Sequence, residues 1–382
     1  MNPILENISP FMVMEVLEAA QKLESQGHHF IHMEVGEPDF ATPQCIIDAA
    51  KQAYDKGYTH YTHSLGDYGL RTEIARLYKR EYDVDVDPDC VLVTSGSSPA
   101  ILLALMVLCE AGSEAIVPDP GYACYGNFVR TCNAMPVSLT LNAEDGFLYD
   151  IERIKKLINP KTRALFINSP MNPTGTMLDD EQMNNIAQLG IPIISDEIYH
   201  GLVYEGKAQT MLRFTENCFV INGFSKRFAM TGMRLGYMIA PSGYMRALQI
   251  LQQNLFICAP GNAQQAGIAA LTMSDKDVSK MRNMYNERRK YMLTRLRKMG
   301  FIIHAEPTGA FYVFADARQF TSDSYTFAFD VLNRAHVGIT PGIDFGKNGE
   351  GFVRFSYANS LENIKEGLDR LDDYLTKNYG FC

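Results

Sequence analysis

The chain carries six short apolar runs, rich in β-branched residues, that recur between residues 90 and 240 and are separated by amphipathic segments. The runs are CVLVTS from Cys90, EAIVPD from Glu114, RALFINS from Arg163, IPIISD from Ile191, CFVING from Cys218 and GYMIA from Gly236. Strands that read as continuous apolar runs are buried on both faces, as in parallel sheets covered by crossover helices. The sequence therefore predicts an α/β domain in which helices flank a mostly parallel sheet.

The chain is also too long for one ordinary core. With 382 residues, and about 100–200 residues per domain, two domains are expected. The alternating pattern spans residues 44–272, which we predict to be the large domain. A long charged helical pattern then ends at Gly300, a residue type typical of helix ends. Together with the strand patterns GAFYVFAD and GFVRFSYA and a last amphipathic segment, it predicts a smaller α+β domain, residues 273–382.

Charge and cysteine usage exclude several classes of function. The formal net charge is −9 and no basic run occurs, so we expect neither nucleic acid nor an anionic membrane as a partner. No apolar run reaches transmembrane length, and the amino terminus lacks the pattern of a signal peptide. The eight cysteines form no CxxC pair. We therefore expect a cytoplasmic protein.

The histidines do not predict a metal site. His28, His29 and His32 lie in a mixed apolar stretch, and His60 and His63 lie in a predicted loop. Surface or core histidines fit this arrangement better than metal ligands do. Neither GxGxxG nor GxxxxGK[ST] occurs, so dinucleotide-binding and P-loop interpretations have no support.

The segment NGFSKRFAMTGMRLGY, residues 222–237, follows an apolar strand pattern and combines Ser225, Lys226 and Arg234. In open α/β sheets, ligands bind where strands end. A lysine amine forms a Schiff base with an aldehyde, while a hydroxyl and a guanidinium hold a phosphate. Pyridoxal phosphate carries both an aldehyde and a phosphate. The alternative is a solvated lysine and arginine on a surface loop, and further strand-end residues favour the cofactor.

Two other strand ends carry groups that suit the same cofactor. In TSGSSPA, Ser97 and Ser98 fall at a predicted helix start, where free N–H groups favour a phosphate. A simple serine N-cap is the alternative. In DPGYACY, Tyr122 follows a Pro-Gly turn, from which its ring could stack on a flat cofactor or pack in a core.

A carboxylate and two further donors complete this set. Asp196 ends the IPIISD run, where it could pair with a protonated pyridine nitrogen or cap a helix. Tyr199 follows it and could reach the ring hydroxyl of the cofactor. Asn172, in a Pro-bracketed turn, could donate to the same oxygen or satisfy its own turn. Arg354 interrupts FVRFSYA, where it could hold a carboxylate or face water on an edge strand.

Together these segments resemble the class I aminotransferases, in the aspartate-aminotransferase-like, prokaryotic-type subgroup of the fold type I pyridoxal-phosphate enzymes. The resemblance covers nearly the whole chain. The segments that carry it, in the order of the family, are GEPDF from Gly36, YTHSLGDYGLR, TSGSSPA, DPGYACY, NSPMNPTG, SDEIYHGLVY, SKRFAMTGMRLGY and FVRFSYA. It implies the fold type I architecture, with a large domain around a mostly parallel sheet and a smaller α+β domain.

The resemblance assigns a role to each candidate. Lys226 would be the Schiff-base lysine, Asp196 the partner of the pyridine nitrogen, and Tyr199 and Asn172 the donors to the ring oxygen. Tyr122 would stack on the ring. The phosphate would be bound by Ser97, Ser98, Ser225 and Arg234.

The same resemblance implies a homodimer. Tyr61 would reach the phosphate of the neighbouring subunit, and the substrate carboxylate would be held by Arg354, Asn172 and the backbone of Gly36. Residues 1–43 would join the small domain, and their apolar stretch ISPFMVMEVL could pack against a partner or the mouth of the site.

The implied activity is transfer of an amino group from an L-amino acid to a 2-oxo acid by a ping-pong mechanism. A related β-elimination carbon–sulfur lyase, or a ligand-sensing protein on the same fold, are the alternatives. In an aspartate-using branch of the family, a lysine that reads the second carboxylate stands where this chain has Ser98. This difference weakens the case for aspartate. It does not remove glutamate as a co-substrate, because another arginine or lysine could bind the second carboxylate, and it leaves aromatic, alanine and branched-chain donors open.

Overall fold

The structure, a computed structural model, describes residues 6–380. Its α-helices are α1 Met12–Glu24, α2 Gln44–Asp55, α3 Tyr68–Tyr82, α4 Ser97–Leu108, α5 Cys124–Thr131, α6 Ile151–Leu157, α7 Asp180–Ala187, α8 Ser242–Leu255, α9 Gly261–Met273, α10 Asp275–Lys298, α11 Ser324–Ala335 and α12 Leu361–Tyr379. Its strands are β1 Ile31–His32, β2 Val91–Thr94, β3 Glu114–Asp119, β4 Met135–Thr140, β5 Thr162–Asn168, β6 Ile193–Asp196, β7 Cys218–Gly223, β8 Gly236–Ile239, β9 Tyr312–Asp316, β10 Val337–Gly338, β11 Thr340–Pro341 and β12 Phe352–Ser356.

The large sheet has seven strands in the order β2-β8-β7-β6-β5-β3-β4. Strands β4, β3, β5, β6 and β7 run parallel to one another, and β8 runs antiparallel to both β7 and β2. Each of the six apolar runs forms a strand of this sheet. The predicted α/β class, with a mostly parallel sheet flanked by helices, is confirmed.

The apolar runs are buried on both faces of the sheet. On β5, Leu165 belongs to one hydrophobic cluster and its neighbour Phe166 to another, because successive side chains of a strand point to opposite faces. Both side chains are fully buried. Their burial explains why the run reads as continuously apolar rather than alternating.

Two features of the sheet were not predicted. Strand β4, Met135–Thr140, lies at the edge and is largely half-buried or exposed, so its sequence lacks the continuous apolar pattern. Strand β8 is antiparallel. The connection from β7 to β8 contains only a short 3₁₀ turn, Thr231–Met233, and a chain without a crossover helix returns in the opposite direction.

The rest of the chain builds a smaller layer beside the large sheet. Strands β11, β12 and β9 form an antiparallel sheet with β12 in the centre, and β1 pairs with β10 in parallel. Helix α10 contacts both parts. Val278 and Met281 pack with the large cluster, and Met292 and Leu296 pack with the small one. The predicted domain boundaries, 1–43, 44–272 and 273–382, stay a prediction.

Residues 6–380 contain neither a membrane-spanning helix nor a cluster of metal ligands. None of their helices is long and apolar enough to cross a membrane. Within the same range, no group of three or more histidine, cysteine, aspartate or glutamate side chains is placed to hold a metal ion.

Candidate active site

One cavity of about 320 Å³ collects nearly all the candidate residues. It lies where β5, β6 and β7 end, and residues of β9, β12 and the start of α1 close its other side. Parallel strands bring their carboxyl ends to the same edge, which is why residues distant in sequence meet there. The candidates in its lining are Gly36, Ser97, Ser98, Tyr122, Asn172, Asp196, Tyr199, Ser225, Lys226, Arg234 and Arg354.

Lys226 lies three residues after the end of β7 and presents its amine to the cavity. Its Nζ donates a hydrogen bond to the backbone oxygen of Gly36 at 2.6 Å. The pKa of Lys226 is lowered to about 8, chiefly by burial and also by the neighbouring Arg354 and Arg234, while Glu37 and Asp196 oppose the change. A lysine with this pKa is partly an uncharged amine near neutral pH. The solvated-loop alternative is therefore wrong for Lys226, whereas Arg234 is exposed.

Asp196 is the last residue of β6 and is 5% exposed. Its Oδ2 accepts a hydrogen bond from the Tyr125 hydroxyl at 2.6 Å, and its Oδ1 accepts one from the Ile198 amide at 3.2 Å. Burial raises the pKa of Asp196 to about 6, although the hydrogen bond from Tyr125 opposes this change. No helix starts directly after Asp196, so it is not a helix cap.

Ser97 and Ser98 are the first residues of α4, whose N-cap is Gly96 with a φ of 97°. The serine N-cap alternative is therefore wrong. A Cβ on Gly96 would meet the guanidinium of Arg234, which shows how closely the two approach, and the positive φ itself favours glycine. The free N–H groups of the helix and the guanidinium form a cradle for an anion.

Arg354 lies on β12, the central strand of the small sheet, and is 2% exposed. The edge-strand alternative is therefore wrong. Its Nη1 donates to Asn172 Oδ1 at 3.0 Å and its Nη2 donates to the hydroxyl of Thr340 at 3.1 Å and to the backbone oxygen of Glu34. Its Nε is buried without a partner. Because a buried donor without a partner costs free energy, this group suits an incoming acceptor such as a carboxylate.

The family comparison agrees with this geometry. The sequence model described as "Aminotransferase class I and II" matches residues 28–371. The chain belongs to this family. It is a pyridoxal-phosphate-dependent aminotransferase, and its cofactor is pyridoxal phosphate.

Curated relatives match the aminotransferase over almost its whole length. A (5-formylfuran-3-yl)methyl phosphate transaminase from Methanocaldococcus jannaschii is 42% identical, with 98% of this chain and 99% of the relative covered. An aspartate aminotransferase from Pyrococcus horikoshii is 39% identical, with 95% and 94% covered.

A solved structure extends the likeness to the fold. The aspartate aminotransferase from Thermus thermophilus with maleate has a TM-score of 0.94 and is 33% identical, with 98% of this chain and 99% of that chain covered. The fold type I architecture is confirmed.

The residues of the aminotransferase fit this cofactor. The anion cradle of Gly96 and Arg234 suits a phosphate, because it combines helix N–H groups with a guanidinium. The buried carboxylate of Asp196 suits a ring cation, since burial disfavours its charge until a cation pairs with it. The amine of Lys226 lines the same cavity. Three separate parts of the cavity therefore match three parts of one molecule.

Several residues were missed that line the cavity or contact its lining. Tyr125, the donor to Asp196, lies three residues after Tyr122. Tyr312 on β9 exchanges a hydrogen bond with Tyr199 at 2.8 Å between their hydroxyl oxygens. Asn168 ends β5 and donates to the Asp196 backbone oxygen at 2.9 Å. The strand-end rule that found Asp196 would have found Asn168, whereas Tyr312 needs the packing of the two sheets.

Tyr61 is the one candidate that lies outside the cavity. It is 80% exposed on the single chain. A tyrosine with so little burial has no structural role within its own subunit. Its predicted role, contact with the phosphate of a neighbouring subunit, stays a prediction.

Proposed function

We propose that the aminotransferase transfers the amino group of an L-amino acid to a 2-oxo acid in two separate half-reactions, with Lys226 as the Schiff-base lysine. The observation that carries the proposal is the half-buried Lys226 amine, with a pKa of about 8, in one cavity with Asp196 and Arg354. Each product leaves before the next substrate binds, so the kinetics are ping-pong.

The groups that line the cavity divide the work of holding the cofactor. The phosphate is bound by Ser97, Ser98, Ser225 and Arg234. Asp196 pairs with the ring nitrogen, Tyr122 packs against the ring, and Tyr199 and Asn172 donate to the ring oxygen. When bound, pyridoxal phosphate supplies an aldehyde that condenses with amines and a ring that withdraws electrons from the substrate α-carbon.

Lys226 moves the proton. With pyridoxal phosphate bound and its Nζ uncharged, Lys226 would accept the proton of the substrate α-carbon and later return a proton. A general base works best when its pKa lies near the operating pH. Burial and the neighbouring arginines bring the pKa of Lys226 to about 8, close to that optimum.

Arg354 orients the substrate. Its guanidinium lies 4.3 Å from the centroid of the Tyr312 ring and is held by Asn172 and Thr340, which leaves little rotational freedom. A guanidinium held in this way binds a carboxylate in one orientation. Together with the backbone of Gly36, it places the α-carbon of the amino acid toward Lys226.

The half-reaction can be tested directly. We expect a single amino acid, added to the cofactor-loaded enzyme without any acceptor, to bleach the visible cofactor band and to release one 2-oxo acid per subunit. Absorbance and product analysis measure both. Continuous formation of pyruvate from cysteine-like substrates would instead indicate the β-elimination lyase. A band that no amino acid changes would contradict both activities.

We also propose a homodimer in which Tyr61 binds the phosphate in the partner's site, which its high exposure supports. Tyr61→Phe removes only the hydroxyl, so it should weaken cofactor affinity about 10-fold, as expected for one hydrogen bond to a charged group. Tyr58→Phe is the matched control, because Tyr58 is also exposed, at 41%. Equilibrium binding of the cofactor measures the effect, and light scattering measures the mass. Equal affinity in both variants, or a monomer, would refute the proposal.

Two further predictions concern the domain division and the cellular location of the protein. We propose the division into residues 1–43, 44–272 and 273–382, which the pairing of β1 with β10 and the separate sheets support. We also propose a cytoplasmic location, supported by the seven unpaired cysteines of the described residues.

A further inference from the structure

We infer that the amino-acid donor has an uncharged, apolar side chain, and that residues at the start of α1 contact it. This inference rests on the proposed function, because it assigns the groups of the same cavity. Two observations support it. One is the set of charges that line the cavity, and the other is a wall of apolar side chains that have no role in the proposed reaction. It therefore concerns substrate class, not the reaction.

The positively charged groups of the cavity all have a role in the proposed reaction. Among the described residues, the cations that line the cavity are Lys226, Arg234 and Arg354. Under the proposed function, each is used for the cofactor aldehyde, the phosphate or the substrate α-carboxylate. No cation that lines the cavity within one subunit remains for a second substrate carboxylate, and Tyr61, the residue proposed to come from the partner, is uncharged. A carboxylate taken from water without a partner is costly.

The cavity also contains a negatively charged side chain near Lys226. Glu37 lines the cavity and accepts a hydrogen bond from the Thr231 hydroxyl. Its carboxylate also acts on Lys226 by raising the pKa of that amine. A substrate with an acidic side chain would add a second substrate carboxyl group to a cavity that already contains Glu37 and Asp196. Electrostatic repulsion therefore acts against aspartate and glutamate as donors.

One wall of the cavity is apolar and is formed by Phe11, Val13 and Met14. The backbone of this segment is fixed, because the amides of Met12 and Val13 donate to the carboxylate of Asp344 at 3.0 and 3.3 Å. A wall of apolar side chains on a fixed backbone favours an apolar ligand by excluding water.

Phe11 connects this wall with the part of the cavity proposed to hold the cofactor ring. Its ring packs edge-on against Tyr122, with 6.1 Å between the ring centroids. Tyr122 is the residue proposed to pack on the cofactor ring. A substrate side chain that extends away from Arg354 and Lys226 therefore meets apolar surface along this part of the cavity.

The experiment measures the binding of unreactive carboxylates to the cofactor-loaded enzyme, which avoids turnover. The probes are 3-phenylpropanoate and 4-methylpentanoate, each with one carboxylate and an apolar group, and succinate, with two carboxylates. Their dissociation constants are read from shifts of the cofactor absorbance or of the melting temperature. We expect both monocarboxylates to bind at least about 10-fold more tightly than succinate.

A gain-of-charge variant tests the wall itself. Met14 is 44% exposed and lies in the first turn of α1, where arginine and glutamine have helix propensities similar to that of methionine. Met14→Arg adds a cation and should raise succinate affinity about 10-fold. Met14→Gln is the matched control, because it has similar length and no charge. We expect Met14→Arg to bind succinate about 10-fold more tightly than Met14→Gln does.

The outcomes separate this inference from the proposed function. Tighter binding of succinate by the native enzyme, or bleaching of the cofactor band by aspartate in preference to leucine and phenylalanine, would overturn the inference and leave the transaminase intact. Equal succinate affinity in Met14→Arg and Met14→Gln would also overturn it. A cofactor band that no amino acid bleaches would instead refute the proposed function.

Discussion

Lys226→Ala should lower the rate of amino-group transfer by about 10⁴-fold or more. The cavity presents one lysine amine among the described residues, and the proposal gives that amine two tasks, attachment of the cofactor and proton transfer. The neighbouring arginines cannot replace it, because a guanidinium stays protonated at any pH at which the enzyme is folded. Single-turnover measurements with one amino acid give the rate without interference from product release.

Lys226→Arg is the matched variant, because it keeps a long cationic side chain and removes the primary amine. We expect the same loss of rate, although both variants still bind the cofactor through the phosphate cradle and Asp196. Reduction with borohydride followed by mass spectrometry should give a cofactor adduct on native Lys226 and none in either variant. An adduct of equal yield on another lysine would show that the assignment is wrong.

The end of each buried strand was the most predictive part of the sequence. An apolar run that terminates in a polar residue marks the edge of the sheet where ligands bind, and this rule located Asp196 and the segment around Lys226. The rule works because burial on both faces leaves a local signature in the sequence. It fails for β4, since an edge strand is half solvated and its pattern resembles that of a loop.

Contacts between the two layers could not be predicted. Arg354 interrupts an apolar run, and such an interruption fits an edge strand as well as a buried binding residue. The structure decides between these because β11 and β9 flank its strand on both sides. Tyr312 is similar, since its approach to Tyr199 joins residues 113 positions apart. Neither residue has a local pattern that distinguishes a site from a core.

The start of α1 shows a third limit. The stretch from Ile8 to Leu17 is visibly apolar, yet its sequence does not say whether a partner or the site mouth covers it. The structure places Phe11, Val13 and Met14 on the cavity wall. Asp344, far along the chain, fixes this position by accepting from two backbone amides of the segment. A long-range contact of this kind determines which side chains can meet the substrate.

Asp196→Asn should lower the rate by about 10³-fold, because it removes the charge that keeps the ring nitrogen of the cofactor protonated and electron-withdrawing. It should also change the pH dependence of cofactor affinity. Burial raises the pKa of Asp196 to about 6. The group is therefore ionised above pH 6 and able to pair with a cation, and it becomes protonated as the pH falls below 6. Native affinity should rise as the pH approaches 6 and level off above it.

The cofactor has titrating groups of its own, so the informative quantity is the difference between the native and Asp196→Asn profiles. Tyr125→Phe sharpens this comparison. Its hydroxyl donates to Asp196 at 2.6 Å and stabilises the ionised form, so its loss should raise the pKa of Asp196 by about one unit. In Tyr125→Phe, the rise in cofactor affinity should then extend to a higher pH than in the native enzyme. If Asp196 does not pair with the ring, the profiles of the native enzyme and Tyr125→Phe should not differ. Equal profiles in all three proteins would place the ring cation against another group.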